Sequence, residues 1–302
     1  MLMNNKDITL LDGSIGQEIL KKSGDQATPL WSTKVMMDNP AIVDDVHSSY
    51  FKSGATVATT NTYPVLYDRL KRVGLEEERF KLWDIALDSA INARNNNGYG
   101  KVAASIGPLI ASYRPDICPP ANEAEKMYEE IISYLALKTD LILIETMCSI
   151  DQAEGALLAA NKIQKPTWIA FSVDDFDGSI LRSGEKVEKI DLILTKFNPE
   201  AILINCSRPE VVATALEIIS SFNIKFGAYA NGFTKITSGF LKEAPTVDAL
   251  EERKDLNPES YSRFVMEWVN LGATIVGGCC EVGPDHIKLI AQKLNQSGFK
   301  IV

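Results

Sequence analysis

The sequence predicts a single-domain α/β protein of the (β/α)8, or TIM-barrel, class, with residues 1–302 forming one barrel. Three observations lead there. Short apolar runs alternate with longer amphipathic stretches from end to end. Each run is apolar over most of its length, as expected of parallel strands covered on both faces. Eight strand–helix pairs in strict alternation fit a chain of 302 residues. An open doubly wound sheet is the rival, but no Gly-x-Gly-x-x-Gly follows the first strand.

In chain order, the predicted strands are 8–12, 56–61, 101–106, 141–146, 167–173, 201–206, 225–230 and 273–278. Runs such as Leu141-Ile142-Leu143-Ile144 and Ala201-Ile202-Leu203-Ile204 carry this reading. The predicted helices are 41–52, 75–95, 122–138, 150–162, 186–196, 209–221, 258–270 and 284–294. Pro209, Pro258 and Pro284 stand near the first helical position, where a missing N–H is harmless. Two connections are long, 13–40 after the first strand and 231–257 after the seventh. Both leave strand C-termini, the face where a barrel places its chemistry, and long loops are more often functional than decorative.

Composition narrows the partners. Apolar and charged fractions of 45% and 24% are those of an ordinary globular protein, and the net charge of −9 argues against nucleic acid or an anionic membrane. No apolar run approaches a membrane span, and Met1-Leu2-Met3-Asn4-Asn5-Lys6-Asp7 lacks the basic-then-apolar layout of a signal peptide, so a cytoplasmic setting is expected. In that compartment five cysteines are too sparse for a disulfide framework, and two histidines are too few for a His-rich zinc site. No oligomeric state is specified; a homo-oligomer is allowed.

Three of the five cysteines fall at predicted strand ends on one face: Cys206 after the sixth strand, Cys279 and Cys280 after the eighth. One strand separates these two in a barrel, so their ends can converge on one ion. Taken singly, each cysteine reads as a small core residue; together they read as a catalytic zinc site with a fourth position open. Adjacent cysteines can share a metal only if the strand ends in a turn, and Gly277 and Gly278 supply that freedom. A thiolate-rich zinc is a poor activator of water and suits a further sulfur from a substrate. Attack by an activated thiolate on an electrophilic carbon is the reaction class implied.

Leu11-Asp12-Gly13, Thr59-Thr60-Asn61-Thr62-Tyr63, Glu145-Thr146, Asn205-Cys206-Ser207 and Gly277-Gly278-Cys279-Cys280 occur in this order and together resemble the homocysteine S-methyltransferase family. That family uses a zinc-dependent (β/α)8 barrel and includes enzymes taking S-methylmethionine or betaine as donor. The resemblance implies Zn2+ held by Cys206, Cys279 and Cys280 as the catalytic centre. It implies that Asp12 and Glu145 receive the ammonium of L-homocysteine and that backbone near Gly13 and Ser14 receives its carboxylate. A buried carboxylate pair and N–H donors in a glycine turn suit those charges, although Glu145 could equally serve a structural ion pair. Asn61 and Thr62 match pocket-lining positions; Asn61 can as well tether a neighbouring loop. Tyr113 and Trp31 are aromatics on active-face loops that either meet a methylated cation or cover the barrel mouth. His47 reads as structural, His286 as a brace for the cysteine loop, and Cys118 and Cys148 as bystanders. Where betaine-using relatives carry an aromatic after Tyr63, this chain has Pro64, which favours a small sulfonium, S-methylmethionine or S-adenosylmethionine, as methyl donor. The competing expectations are a non-catalytic zinc or thiol-redox sensor, in which Asp12 and Glu145 have no task, and a methyltransferase for another thiol or selenol.

Overall fold

A computed structural model describes residues 6–24, 30, 32–241 and 249–302 of the chain. Every predicted strand is present: β1 (Asp7–Leu10), β2 (Val57–Thr59), β3 (Lys101–Ile106), β4 (Leu141–Met147), β5 (Thr167–Phe171), β6 (Ala201–Asn205), β7 (Lys225–Tyr229) and β8 (Ile275–Val276). Neighbours pair in parallel in the order β2-β3-β4-β5-β6-β7-β8-β1. The ring closes where Leu11 bridges Val57 and the Thr56 N–H donates to the Leu10 carbonyl at 2.7 Å. The (β/α)8 expectation holds. One strand is additional: β9 (Lys300–Ile301) pairs with the start of β1 through Asp7↔Lys300 and Ile8↔Ile301. Two residues are too short to show a strand's periodicity in sequence.

Side-chain alternation along each strand builds two cores. Leu11, Val57, Ala103, Leu141, Leu143, Trp168, Leu203 and Ile275 form a cluster to which no helix contributes, which places it inside the barrel. Their neighbours Leu10, Ala104, Ile142, Ile144, Ile202 and Val276 pack instead with helical residues such as Val46, Leu87, Ile132 and Leu216 in the outer layer. Leu141, Leu143 and Glu145 lie on one side of β4 by this parity, so the inner row of leucines ends in a carboxylate at the C-terminal mouth.

The eight expected helices occur at Pro40–Lys52, Arg79–Asn97, Ala121–Ala136, Ile150–Ala160, Asp191–Phe197, Pro209–Ile219, Pro258–Asn270 and Pro284–Gln296. Proline stands in the first turn of four of them; Asn257 also caps one of these, and Ser149 caps Ile150–Ala160, by accepting from Ser260 N and Gln152 N. Three short helices, Ile15–Ser23, Ser32–Asp38 and Tyr67–Lys71, lie in stretches read as connections. Their brevity hides the period, and Gly16 interrupts the first. Among the described residues no helix is long and apolar enough to cross a membrane.

Candidate active site

The fold brings the three strand-end cysteines together: the sulfurs of Cys206, Cys279 and Cys280 all lie within 4.8 Å of one another and could hold a metal ion. Cys206 and Cys279, 73 residues apart, are joined as a disulfide with Cα atoms 5.8 Å apart, and Cys280 Sγ stands 3.9 Å from Cys279 Sγ. The disulfide departs from the expectation that the cysteines form no disulfide framework and that these three serve as metal ligands; bonding to each other and sharing an ion are alternative uses of the same pair. Cys206 follows β6 with φ +46°, a left-handed conformation unusual for a residue with a Cβ. The adjacent pair shares a turn in which the Val282 N–H donates to the Cys279 carbonyl and Glu281 takes φ +63°. Neither Gly277 nor Gly278 has positive φ, so the freedom expected of them is room: a Cβ on Gly278 would strike Val282, and one on Gly277 would meet Leu11 Cβ at 2.6 Å. Gln17 locks the turn by accepting from Glu281 N at 2.7 Å while its amide donates to the Glu281 carboxylate.

Soft sulfur donors without histidine in the cluster suit a thiophilic ion. Burial, followed by the charges of Glu281 and Glu145, pushes the Cys280 thiol up to about 12, so its thiolate requires a cation beside it. The donor set therefore fits the metal that the resemblance implies.

Asp12 and Glu145 line the same cleft as the cysteines. Asp12 is 2% exposed and accepts from Thr59 N at 2.6 Å and Thr59 Oγ1 at 3.0 Å. Burial raises its carboxyl despite those bonds, and Glu145 adds to the rise. Glu145 accepts from Tyr229 Oη at 3.1 Å and from Ser105 Oγ. Burial pushes it up to about 7 against the pull of both hydroxyls. Among the described residues no lysine or arginine faces either group, so the structural ion pair open to Glu145 does not form. Two buried carboxylates facing one cleft without a counter-charge form a site for a cation.

The remaining expectations divide. Gly13 and Ser14 line the cleft, but the Ser14 N–H is committed to the Val282 carbonyl at 3.0 Å. The unexpected helix Ile15–Ser23 starts there and turns its N-terminal Ile15, Gly16 and Gln17 to the cleft, adding the positive end of a helix dipole. Asn61 lines the wall as a tether: its side chain accepts from Ser32 Oγ at 2.8 Å. Thr62 is a correction, since its hydroxyl is 2.7 Å from the Ser105 carbonyl and it is fully buried behind the lining. Tyr113 lines the cleft with φ +61°, and the Arg182 guanidinium covers one ring face 4.7 Å from the centroid. Trp31 lies outside the described residues. His286 accepts from the Gly283 N–H at 3.3 Å and sits 3.1 Å from the Leu256 carbonyl, bracing the helix after the cysteine turn. His47 is buried without a hydrogen-bond partner among the described residues. Cys148 contacts the Thr146 carbonyl, and neither it nor Cys118 joins the sulfur cluster. Sequence reading missed Tyr229, Thr59, Ser105 and Gln17. Of these Tyr229 had a signal, as a tyrosine closing the seventh strand, and Thr59 and Ser105 stood at the ends of the second and third strands without being given a role. The apolar side of the cleft is Leu20, Phe233, Phe240 and Leu250.

Residues 9–294 match the family model for homocysteine S-methyltransferase. Homocysteine S-methyltransferase 1 of Arabidopsis thaliana is 25% identical over 95% of this chain and 93% of its own. Homocysteine S-methyltransferase of Escherichia coli is 26% identical, covering 95% of each. The crystal structure of the homocysteine methyltransferase MmuM from Escherichia coli, metallated form, superposes with a TM-score of 0.80 at 23% identity, over 95% of this chain and 96% of that one. With the match running from β1 into the last helix and including every strand-end cysteine and carboxylate described above, the chain belongs to the homocysteine S-methyltransferase family.

Proposed function

We propose that this chain, acting as one homocysteine-binding barrel, transfers a methyl group from a small sulfonium to the thiol of L-homocysteine, with zinc held by Cys206, Cys279 and Cys280. The observation that carries the reading is the convergence of three sulfurs and two uncompensated carboxylates on one cleft. When bound, zinc supplies the positive charge that keeps thiols deprotonated near neutral pH.

The chain's own residues do the rest. Asp12 and Glu145 receive the ammonium group, and ionisation of Glu145 follows from the arrival of that charge. The N-terminus of Ile15–Ser23, together with the Gly13 backbone, receives the carboxylate. An amino acid held at both charged ends presents its side chain to the sulfurs lining the same cleft. Leu20, Phe233, Phe240 and Leu250 exclude water around the donor. In the transfer, the thiolate pair forms the new S–CH3 bond while the donor's S–CH3 bond breaks, its electrons returning to the donor sulfur. The donor leaves neutral, so no general acid is required, and positioning supplies most of the acceleration. Pro64 in the cleft wall, in place of an aromatic, favours S-methylmethionine or S-adenosylmethionine over betaine.

The test is to reduce and purify the protein, quantify zinc, and follow methionine formation from homocysteine with S-methylmethionine, S-adenosylmethionine and betaine in turn. About one zinc per chain and turnover with a sulfonium are expected. No methionine with any of the three donors refutes the reaction. A Cys206→Ser protein that keeps its zinc refutes the three-cysteine site.

A further inference from the structure

One buried charged pair lies outside the machinery above. Arg182 and Asp175 stand in the excursion after β5, where Val173 bridges Leu181, and their side chains are 9% and 8% exposed with Nη2 to Oδ1 at 2.7 Å. From this point Arg182 reaches three separate loops. Its Nε donates to Ser172 Oγ at 2.8 Å; that hydroxyl and Arg182 Nη2 both approach the Cys206 carbonyl, at 3.2 and 3.4 Å. Its guanidinium carbon stands over the Tyr113 ring, 4.7 Å from the centroid. Its partner Asp175 accepts from the Ile236 N–H at 2.7 Å, anchoring the loop that carries Phe240, whose ring meets Tyr113 edge-on at 5.8 Å.

Two of the residues so contacted, Cys206 and Tyr113, are in the left-handed region. A side chain with a Cβ remains there only where its surroundings over-determine it, and such outliers gather at functional sites. A guanidinium is suited to hold both, because its planar fork donates in several directions in one plane while its face stacks.

We infer that Arg182 is a positioning residue that holds Cys206 in the conformation aiming its sulfur at the cluster and, through Tyr113 and Asp175, seats the aromatic wall on the donor side. The inference rests on the zinc-dependent reading of the site. It assigns one clamp to both halves of the reaction: the sulfur cluster and the methyl-donor wall.

Arg182→Lys tests it, since an ammonium keeps the charge opposite Asp175 but lacks the fork. In the reduced, metal-free protein, iodoacetamide labelling read by mass spectrometry should proceed several-fold faster at Cys206 and be unchanged at Cys118, a free thiol outside the Arg182 cluster, a pattern general loosening would not produce. Zinc affinity, from competition with a chromogenic chelator, should fall about tenfold, and KM for the sulfonium should rise more than KM for homocysteine. An unchanged Cys206 labelling rate in the folded variant overturns the inference. If the lysine variant does not fold, Arg182→Met with Asp175→Leu removes both charges together, and the same labelling rates decide. Faster labelling in the variant while the unaltered protein binds no zinc supports the clamp and refutes the zinc reading instead.

Discussion

Glu145 has an ionisation near neutrality because burial outweighs its bonds from Ser105 and Tyr229. Below about pH 7 it is a neutral acid and a poor partner for ammonium; above it, a carboxylate. Methionine, which has no titrating thiol, should therefore bind more tightly as pH rises from 6 to 8, by up to about tenfold per unit for one linked proton. Calorimetry across that range checks this, and Glu145→Gln should flatten the dependence. Tyr229→Phe removes a donor that lowers this ionisation, so the same profile should move to higher pH. The group also opposes folding. The native state keeps the Glu145 proton between about 4.5 and 7 while the unfolded chain loses it, so stability declines as pH rises through that window. At pH 8 Glu145→Gln should be more stable by up to about 3 kcal/mol in urea titration. His47 acts in the other direction. Burial lowers it to about 4, so between roughly pH 6.5 and 4 the unfolded state binds a proton the native state refuses, and stability falls as pH drops. His47→Leu should lift this loss, by about 2 kcal/mol at pH 5.

At the scale of elements, the site is a set of strand ends joined by tight turns. The turn after β8 is held from three directions: Gly278 N to the Asp12 carbonyl, Cys279 N to Ala230, and Glu281 to Gln17 on the helix Ile15–Ser23. Gly278 faces Val282 so closely that a methyl group cannot be added without moving the turn. Gly278→Ala should cost roughly 1–3 kcal/mol of stability and lower metal affinity more than the same destabilisation placed elsewhere, as seen by chelator competition beside a thermal melt. The helix Ile15–Ser23 shows why boundaries matter for function. Read as loop, residues 13–40 offer backbone donors at Gly13 and Ser14; with Ile15–Ser23 folded as helix, this part of the connection offers an oriented dipole and the Gln17 lock, while the Ser14 N–H is engaged with Val282.

At the scale of the whole molecule, the cluster exists only when the barrel is closed. Cys206 and Cys279 are separated by 73 residues, so the unfolded chain cannot present all three sulfurs together. Metal should therefore stabilise the native state by linkage, by about 2.7 kcal/mol at a free concentration one hundred times Kd. Differential scanning fluorimetry of reduced protein with and without zinc reads this as a rise in Tm, absent in Cys206→Ser. Much of the architecture was legible without coordinates. Parallel strands buried on both faces write themselves as unbroken apolar runs such as 141–144 and 201–204, and barrel topology then puts their C-terminal residues on one face. That sufficed to group Cys206, Cys279 and Cys280, while Asp12 and Glu145 were named through the resemblance to the family. It did not suffice for Thr62, whose hydroxyl turns to Ser105, for Tyr229, or for Arg182, whose contacts with Tyr113 and Cys206 join loops far apart in sequence. The strand order, the cysteine set and the family follow from the chain by itself, because hydrophobic period and residue chemistry are local properties. Which N–H is free, which carboxylate lacks a counter-ion and which guanidinium braces the sulfur cluster were decided only by tertiary structure, because hydrogen-bond satisfaction and desolvation depend on neighbours that the linear sequence does not name.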